Sequence, residues 1–584
     1  MGNTVHPTGQ ERTTHMASAQ DTEKASLNSH GQDLENQNSK PTHTVGLPSQ
    51  GRQHQSGSRP AISTLRLNTI VFGLWISLFL AALDSTIIST AVFDISNSFN
   101  STSKSAWIVT SYLLTYNAFV LLIAKLSDIV GLKPLILTSN AIFLVFSIAC
   151  GVARTIDQLI VFRGFQGIGA SGLYCLVFIA IMRLVSLEKA GLYPGIISSV
   201  FALSNLLGPI LGGVIVDNTT WRWIFYINIP LASIASVILA LAIPASQDIK
   251  LNRRTLSKFD FIGSLLSVCW LIPLLFALQE GGSSYPWNSR EVVGTLTGGI
   301  AALLIFLAHQ AWLQKRKDSL TEPIFPIRFI RDPMQGLLLL NVLLTGFAFY
   351  TSIIILPQRF QAVNDVSASR AGVLLLTLTL CFPFFTFAAG AVLSKKPQLA
   401  FCFLILGTSL ILASTACLGD LSDKHTVSDS QYGFEVLMGT GLGVITTTQY
   451  VALKIIFSGR DMATATGAMN MLRAMGGCIG LAICAAMLSS RLDKDLPTAL
   501  PGSSPEQIQV AKNSLHRGSN GFSADEIARV RNVYGKGYND GFEVMTAFAA
   551  ANVIVSGILF STARRKGGID RMIAAAKNEE EQST

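Results

Sequence analysis

The sequence predicts an all-α polytopic membrane protein with two six-helix bundles plus two additional helices, fourteen transmembrane helices in all. Three observations predict it. Of the 584 residues 49% are hydrophobic and only 14% charged, against about 25% charge in an average soluble protein. The apolar residues gather into fourteen runs, and a bilayer core of about 30 Å needs roughly 20 such residues per helix. Runs five and thirteen echo one another, which points to two similar halves. This balance excludes an ordinary soluble enzyme. The net charge of +9 does not mark a nucleic-acid partner, because the basic residues flank the apolar runs.

Met1 to about Arg66 is rich in Gln, Ser, Thr, Asn, His and Gly, has no apolar stretch long enough for a signal peptide and cannot bury a core. It is expected to be a disordered cytoplasmic tail over 1–66. Six runs follow, approximately Leu67–Val92, Ala106–Ile123, Leu135–Ala153, Leu159–Met182, Tyr193–Val216 and Trp223–Ile243, forming an N-terminal bundle over 67–243. Phe259–Leu278 and Val292–Leu313 are two inserted helices, which lie with their cytoplasmic linkers in 244–336. The last six runs, Leu337–Leu356, Ala371–Leu393, Leu399–Leu418, Gly433–Ile456, Thr464–Leu488 and Val544–Phe560, form a C-terminal bundle over 337–560. Within it the polar stretch 489–543 is expected to be an outer loop with local helix around Ser504–Asn513, and 561–584 a second cytoplasmic tail.

The even-numbered loops carry sixteen Lys and Arg residues and the odd-numbered short loops seven. Cytoplasmic loops accumulate these residues, so both termini are expected in the cytoplasm. Two sequons, at Asn100 and Asn218, then fall on the outer side as glycosylation candidates. All eight cysteines lie inside apolar runs without a CxxC pair, and five of the eight histidines are scattered through the first 66 residues. Neither a disulfide scaffold, a metal site nor a cofactor is expected. His309 reads as structural.

Four segments carry chemistry. Leu83-Asp84-Ser85-Thr86 places a carboxylate in the first run, and Arg163-Gly164-Phe165-Gln166-Gly167 an arginine and a glutamine in the fourth. Buried charge in a membrane helix is costly and marks function, although an arginine can also snorkel to an interface. Ala124-Lys125-Leu126-Ser127-Asp128-Ile129-Val130-Gly131-Leu132-Lys133 forms a tight turn between runs two and three. In the fifth run, Ser204-Asn205-Leu206-Leu207-Gly208-Pro209-Ile210-Leu211-Gly212-Gly213 offers small residues as a smooth packing face.

In this order the segments resemble the major facilitator superfamily, specifically its fourteen-span drug:proton antiporter branch. Trp221-Arg222-Trp223-Ile224-Phe225-Tyr226-Ile227-Asn228-Ile229-Pro230 and Tyr285-Pro286-Trp287-Asn288-Ser289 make the chain similar to fungal exporters of toxins, secondary metabolites and drugs. The resemblance covers about Leu67 to Phe560 and implies the major facilitator fold. It implies that Asp84 belongs to the first-span motif, Arg163 to the proton-coupling motif and Gly208-Pro209 to the antiporter motif. Gating roles fall to Asp128, Gly131, Lys133, Gly208, Pro209, Gly212 and Gly213. The turn departs from the family pattern at Ala124 and Leu132, Val120 stands where relatives often have glutamine, and Glu280 where many have tryptophan.

Leu472-Arg473-Ala474-Met475-Gly476-Gly477 in run thirteen is the echo of run five. Arg473 lies roughly 13 Å from the cytoplasmic end of its helix, too deep to snorkel easily. Asn117, Gln166, Asn205, Gln449, Tyr450 and Arg473 are the substrate-cavity candidates, with interhelical hydrogen bonding the alternative for Gln449 and Tyr450. Asp84 and Arg163 lie about 13 Å and 9 Å below the same outer surface, so they are expected to meet as a proton-coupling pair.

The absence of a Gly-x4-Gly-Lys-Ser/Thr loop removes ATP as the direct energy source, and no HExxH or GxSxG is present. The expected function is proton-coupled efflux of small, largely apolar molecules by a monomer in the plasma membrane, with a vacuolar or vesicular membrane as the other location. Its partners are cargo, protons and lipid. Import of a molecule such as an iron chelate, or a receptor or scaffold role, is the alternative.

Overall fold

The computed structural model describes residues 63–99, 104–244, 258–282, 285–316, 321–421, 426–513, 522–565 and 568–583. The predicted tail lies outside the described residues as far as residue 62, and so does the sequon at Asn100. Fourteen helices among the described residues are long and apolar enough to cross a membrane. They are α1 Thr64–Ser98, α2 Ser105–Val130, α3 Leu132–Val152, α4 Ile156–Leu184, α5 Leu192–Asn218, α6 Trp223–Ala242 and α7 Phe261–Glu280. Then come α8 Arg290–Lys315, α9 Pro333–Asn364, α10 Arg370–Lys395, α11 Pro397–Gly419, α12 Asp429–Ile456, α13 Gly459–Ala499 and α14 Ala524–Arg565. A last helix, α15, covers Ile569–Ser583.

Local chemistry sets many of the boundaries. Gly131 has φ +94°, a conformation that favours glycine, and it turns α2 into α3. Thr155, Asp260, Ser289 and Asp332 each accept a backbone N–H in the first turn of the helix they precede. Pro333 follows Asp332 at the first position of α9, where its missing N–H costs nothing.

α1–α6 pack as one bundle and α9–α14 as another; they meet along α5 with α10 and along α2 with α13. α7 and α8 pair with each other, and α7 lies against α2 and α13, over the seam. His309 and Gln310 of α8 both bond the Asp260 carboxylate, at 3.0 and 2.8 Å, so this histidine ties α8 to the start of α7.

The bundles are in direct contact at the end that carries the α2–α3 and α4–α5 turns, the basic end. A Cβ on Gly191 would lie 2.7 Å from the Gly390 carbonyl oxygen, so α5 and α10 approach backbone to backbone. Nearby, Lys454 of α12 donates to the Val185 carbonyl after α4.

Three expectations on length need correction. α9 runs on to Asn364, past the expected end of its run at Leu356, and Arg359 is a buried helix residue. The stretch 489–543 is largely helical: α13 extends to Ala499, Pro505–Asn513 is a short helix, and α14 starts at Ala524. These extensions bury Leu492, Leu496, Val530 and Val533, and Arg491 grips Asp540 through two bonds of 2.7 and 2.9 Å. Their alternation of polar and apolar faces hides them from a search for continuous apolar runs. The third concerns 561–584, where α14 continues to Arg565 and α15 packs on the basic end. Ile573 is buried with Leu187, Leu393, Ala400, Val451 and Ile455, and Lys577 pairs with Glu188 at 3.1 Å.

Candidate functional site

Asp84 on α1 and Arg163 on α4 form an ion pair at 2.5 Å, each with 1% residual exposure. A buried pair is stable only if its remaining hydrogen-bonding capacity is met, and four neighbours meet it. Gln166, one turn after Arg163, accepts from Arg163 Nη1 at 2.9 Å and donates to Asp84 Oδ1 at 3.0 Å. Asn228 of α6 donates to the same Oδ1 at 3.2 Å and to Ser147 of α3 at 3.0 Å. Arg163 Nε donates to the Ile108 carbonyl of α2. The guanidinium also lies 4.1 Å from the centre of the Tyr112 ring, a favourable position for a desolvated cation.

Five helices of the N-terminal bundle, α1, α2, α3, α4 and α6, therefore join in one network around the pair. Gln166, expected in the substrate cavity, is instead fully buried in this network. Asn228 entered the sequence reading only as part of the motif from Trp221 to Pro230, and neither it nor Ser147 nor Tyr112 was among the expected site residues. The available signal was a polar side chain inside an apolar run, which Asn228 and Ser147 both give.

A second polar network occupies the C-terminal bundle. Arg473 of α13 donates to Gln449 Oε1 at 2.8 Å, and Gln449 donates to Asn341 and Thr345 of α9. Asn552 and Ser556 of α14 complete it. Tyr450 bonds Asn470 at 3.0 Å and stacks on Phe178 of the other bundle, with ring centres 4.9 Å apart. Arg473 Nε has no hydrogen-bond partner.

Between the bundles lies a cleft of about 10 Å³ lined by Phe201, Asn205, Phe349, Ile353, Thr379 and Phe382, among others. Of the expected cavity residues, Asn205 lines it. Asn117 is buried in α2, bonded only through Nδ2 to its own helix at Leu113.

The residues expected to gate divide into two groups. Asp128 pairs with Arg183 within the N-terminal bundle and accepts from Thr464 of α13 at 3.4 Å. Lys133 donates to the Ile243 carbonyl at the end of α6, a contact within one bundle. In α5, Gly208 packs on Thr86 of α1: an added Cβ would come within 2.6 Å of the Thr86 Cβ. Gly212 is buried and Pro209 lies within the helix. Gly213 faces open space and adds nothing to a packing face. The second sequon, Asn218, is exposed at the last position of α5.

Glu322, in the linker before α9, was not anticipated. It accepts from Lys125 of α2 at 2.9 Å and from Arg460 of α13 at 2.7 Å, so it bridges the bundles at the basic end. Burial pushes its carboxyl up, but the hydrogen bonds and charges of Lys125 and Arg460 outweigh this and hold it below its ordinary value.

Among the described residues no group of three or more His, Cys, Asp or Glu could hold a metal ion. The polar networks are made of single carboxylates, amides, hydroxyls and guanidinium groups buried between helices.

Comparison with known proteins agrees with this architecture. The chain is 36% identical over 510 residues to the MFS-type transporter FPY5 of Fusarium mangiferae, covering 86% of this chain and 85% of that one. It is 30% identical over 506 residues to the efflux pump FUS6 of Gibberella fujikuroi, covering 85% and 89%. The human organic anion transporter MFSD10 superposes with a TM-score of 0.53 at 13% identity, covering 84% of this chain and 100% of that chain, a likeness of fold alone. The sequence profile described as the Major Facilitator Superfamily matches residues 74–481. With two six-helix bundles, an inserted pair and this match across most of its length, the chain is a multi-pass membrane protein that belongs to the Major Facilitator Superfamily.

Proposed function

We propose that the protein is a proton-coupled efflux transporter that exports small, largely apolar molecules, such as a toxin, secondary metabolite or drug, by alternating access. The observation that carries this reading is the buried Asp84–Arg163 pair, held by neutral donors on several membrane helices. A proton on Asp84 removes its charge and leaves Arg163 without a counter-ion, so proton occupancy and helix arrangement depend on one another. The relative named efflux pump FUS6 supports the outward direction.

The cargo would enter between the bundles. Phe201, Phe349 and Phe382 give the cleft an apolar lining, and Asn205 and Thr379 add neutral hydrogen-bonding groups. At about 10 Å³ the cleft holds no cargo, so the bundles must part at one end to admit it. The close approach at the basic end makes that end the closed one here. On the basic-loop asymmetry this end is cytoplasmic and the arrangement is the one that precedes return to the cytoplasm-open state.

In this reading the protein works as a monomer in the plasma membrane. The test is efflux of a compound panel from cells with and without the protein under a set pH gradient. Accumulation of at least one compound that falls with the protein present, and only while the gradient is maintained, is the expected result. Loss of compound that ignores the gradient contradicts the coupling, and uptake in place of loss contradicts the direction.

A further inference from the structure

Glu435 is a second carboxyl buried among membrane helices. It lies on α12, about six residues or 9 Å from the helix start at Asp429, at the end opposite the basic loops. Its exposure is 0%, and neither carboxyl oxygen has a hydrogen-bond partner. The polar group acting on it is the Gln431 amide one turn earlier, whose own Nε2 also makes no hydrogen bond.

Among the described residues, neither carboxyl oxygen of Glu435 meets a cation within hydrogen-bond reach. α12 is wedged between α10 and α11 through glycines: an added Cβ on Gly439 would sit 2.5 Å from the Leu378 carbonyl oxygen, and one on Gly441 3.0 Å from that of Gly407. From α10, the neutral thiol of Cys381 packs at Gly439; from α11, the Ser414 hydroxyl donates to the Phe434 carbonyl. Among the described residues at the adjoining helix ends, the charged Asp365, Arg370, Asp420 and Asp429 are exposed. Arg359 of α9 is buried at the same end beside Tyr538 of α14.

A carboxylate ion in such a place finds, among the described residues, only the neutral Gln431 amide nearby to replace water, whereas the neutral acid fits. We propose that Glu435 is a second proton-binding site, in the C-terminal bundle. It keeps its proton while α12 is packed dry against α10 and α11, and releases it to water when these helices separate at that end. Because α10 is also the helix that pairs with α5 of the other bundle, loss of this proton is tied to movement at the bundle seam. Proton binding at Glu435 stands apart from the antiport reading; its use in transport rests on that reading.

The test uses purified full-length protein and infrared difference spectra between mildly acidic and alkaline buffer. A carbonyl band of a protonated carboxylic acid is expected in the wild type and in Asp84→Asn, absent in Glu435→Gln and moved in frequency in Glu435→Asp. An unchanged band in Glu435→Gln overturns the proposal. In proteoliposomes, Glu435→Gln is expected to move fewer protons per cargo than the wild type. Unchanged proton stoichiometry in Glu435→Gln overturns the role in transport. A Glu435 band in a protein whose wild type shows no proton-driven export leaves the site in place and defeats the antiport reading.

Discussion

Asp84 and Arg163 lie 79 positions apart in sequence and 2.5 Å apart in space, closed off from solvent and tied to α6 by Asn228 and to α4 by Gln166. The pair is thus read by several helices at once. Any shift of α6 against α1 or α4 changes how the carboxylate is surrounded.

Asn228→Ala removes the donor that links Asp84 to Ser147 and α3. Taking one partner from a buried charged group costs about 1–3 kcal/mol. The expected result is a protein that still inserts and folds, with lower thermal stability in detergent and a displaced pH profile of transport. An unaltered pH profile together with unaltered stability would remove Asn228 from the network.

Gly191→Val tests closure at the basic end. Its Cβ would meet backbone atoms of Gly390, at 2.7 Å from the oxygen and 2.9 Å from Cα, and backbone cannot step aside as a flexible side chain can. Overpacking of this kind costs about 1–3 kcal/mol, which shifts a two-state equilibrium by roughly 5–150-fold. Spin-label distances across the basic end should lengthen and transport should fall while expression holds. Wild-type distances with wild-type transport would show that this approach is not needed.

Glu322 predicts an acid-sensitive contact at the basic end. Its carboxyl is held below its ordinary value by Lys125 and Arg460 despite partial burial. Its contribution is therefore fully present above the unfolded value of about 4.3 and is lost as pH falls through the lower folded value. Distances across the basic end should increase over that acidic window, and Glu322→Gln should open them at neutral pH and flatten the pH response. A Glu322→Gln protein with the wild-type acid response would assign that response to another group.

The number of membrane helices, the two halves and the inserted pair were legible in the sequence because lipid demands long continuous apolar runs, and these leave little ambiguity. The outer extensions of α13 and α14 were not, since helices that pack on each other in water alternate polar and apolar faces and resemble a loop to any test of continuous hydropathy. Asp84 and Arg163 stood out as charges in apolar runs. Gln166 was visible but its direction was not, because only the fold decides whether a polar residue on α4 faces its own bundle or the cleft. Glu322 lay in a linker whose partners, Lys125 and Arg460, are 197 and 138 positions away, and no local pattern announces such a meeting. Glu435 carried the same signal as Asp84, a carboxylate inside an apolar run, and went unmarked because no recognised motif surrounds it.

The most direct test of the central claim is gradient-driven export by Asp84→Asn in proteoliposomes, measured beside cargo exchange without a gradient. The substitution keeps the shape of the side chain and removes the titratable group. Breaking a buried pair by removing one partner's charge costs about 3–5 kcal/mol, so protein level and melting temperature must be followed in parallel. The account predicts that Asp84→Asn binds and exchanges cargo but no longer concentrates it against its gradient at any pH. Concentrative export with the wild-type pH dependence would contradict it.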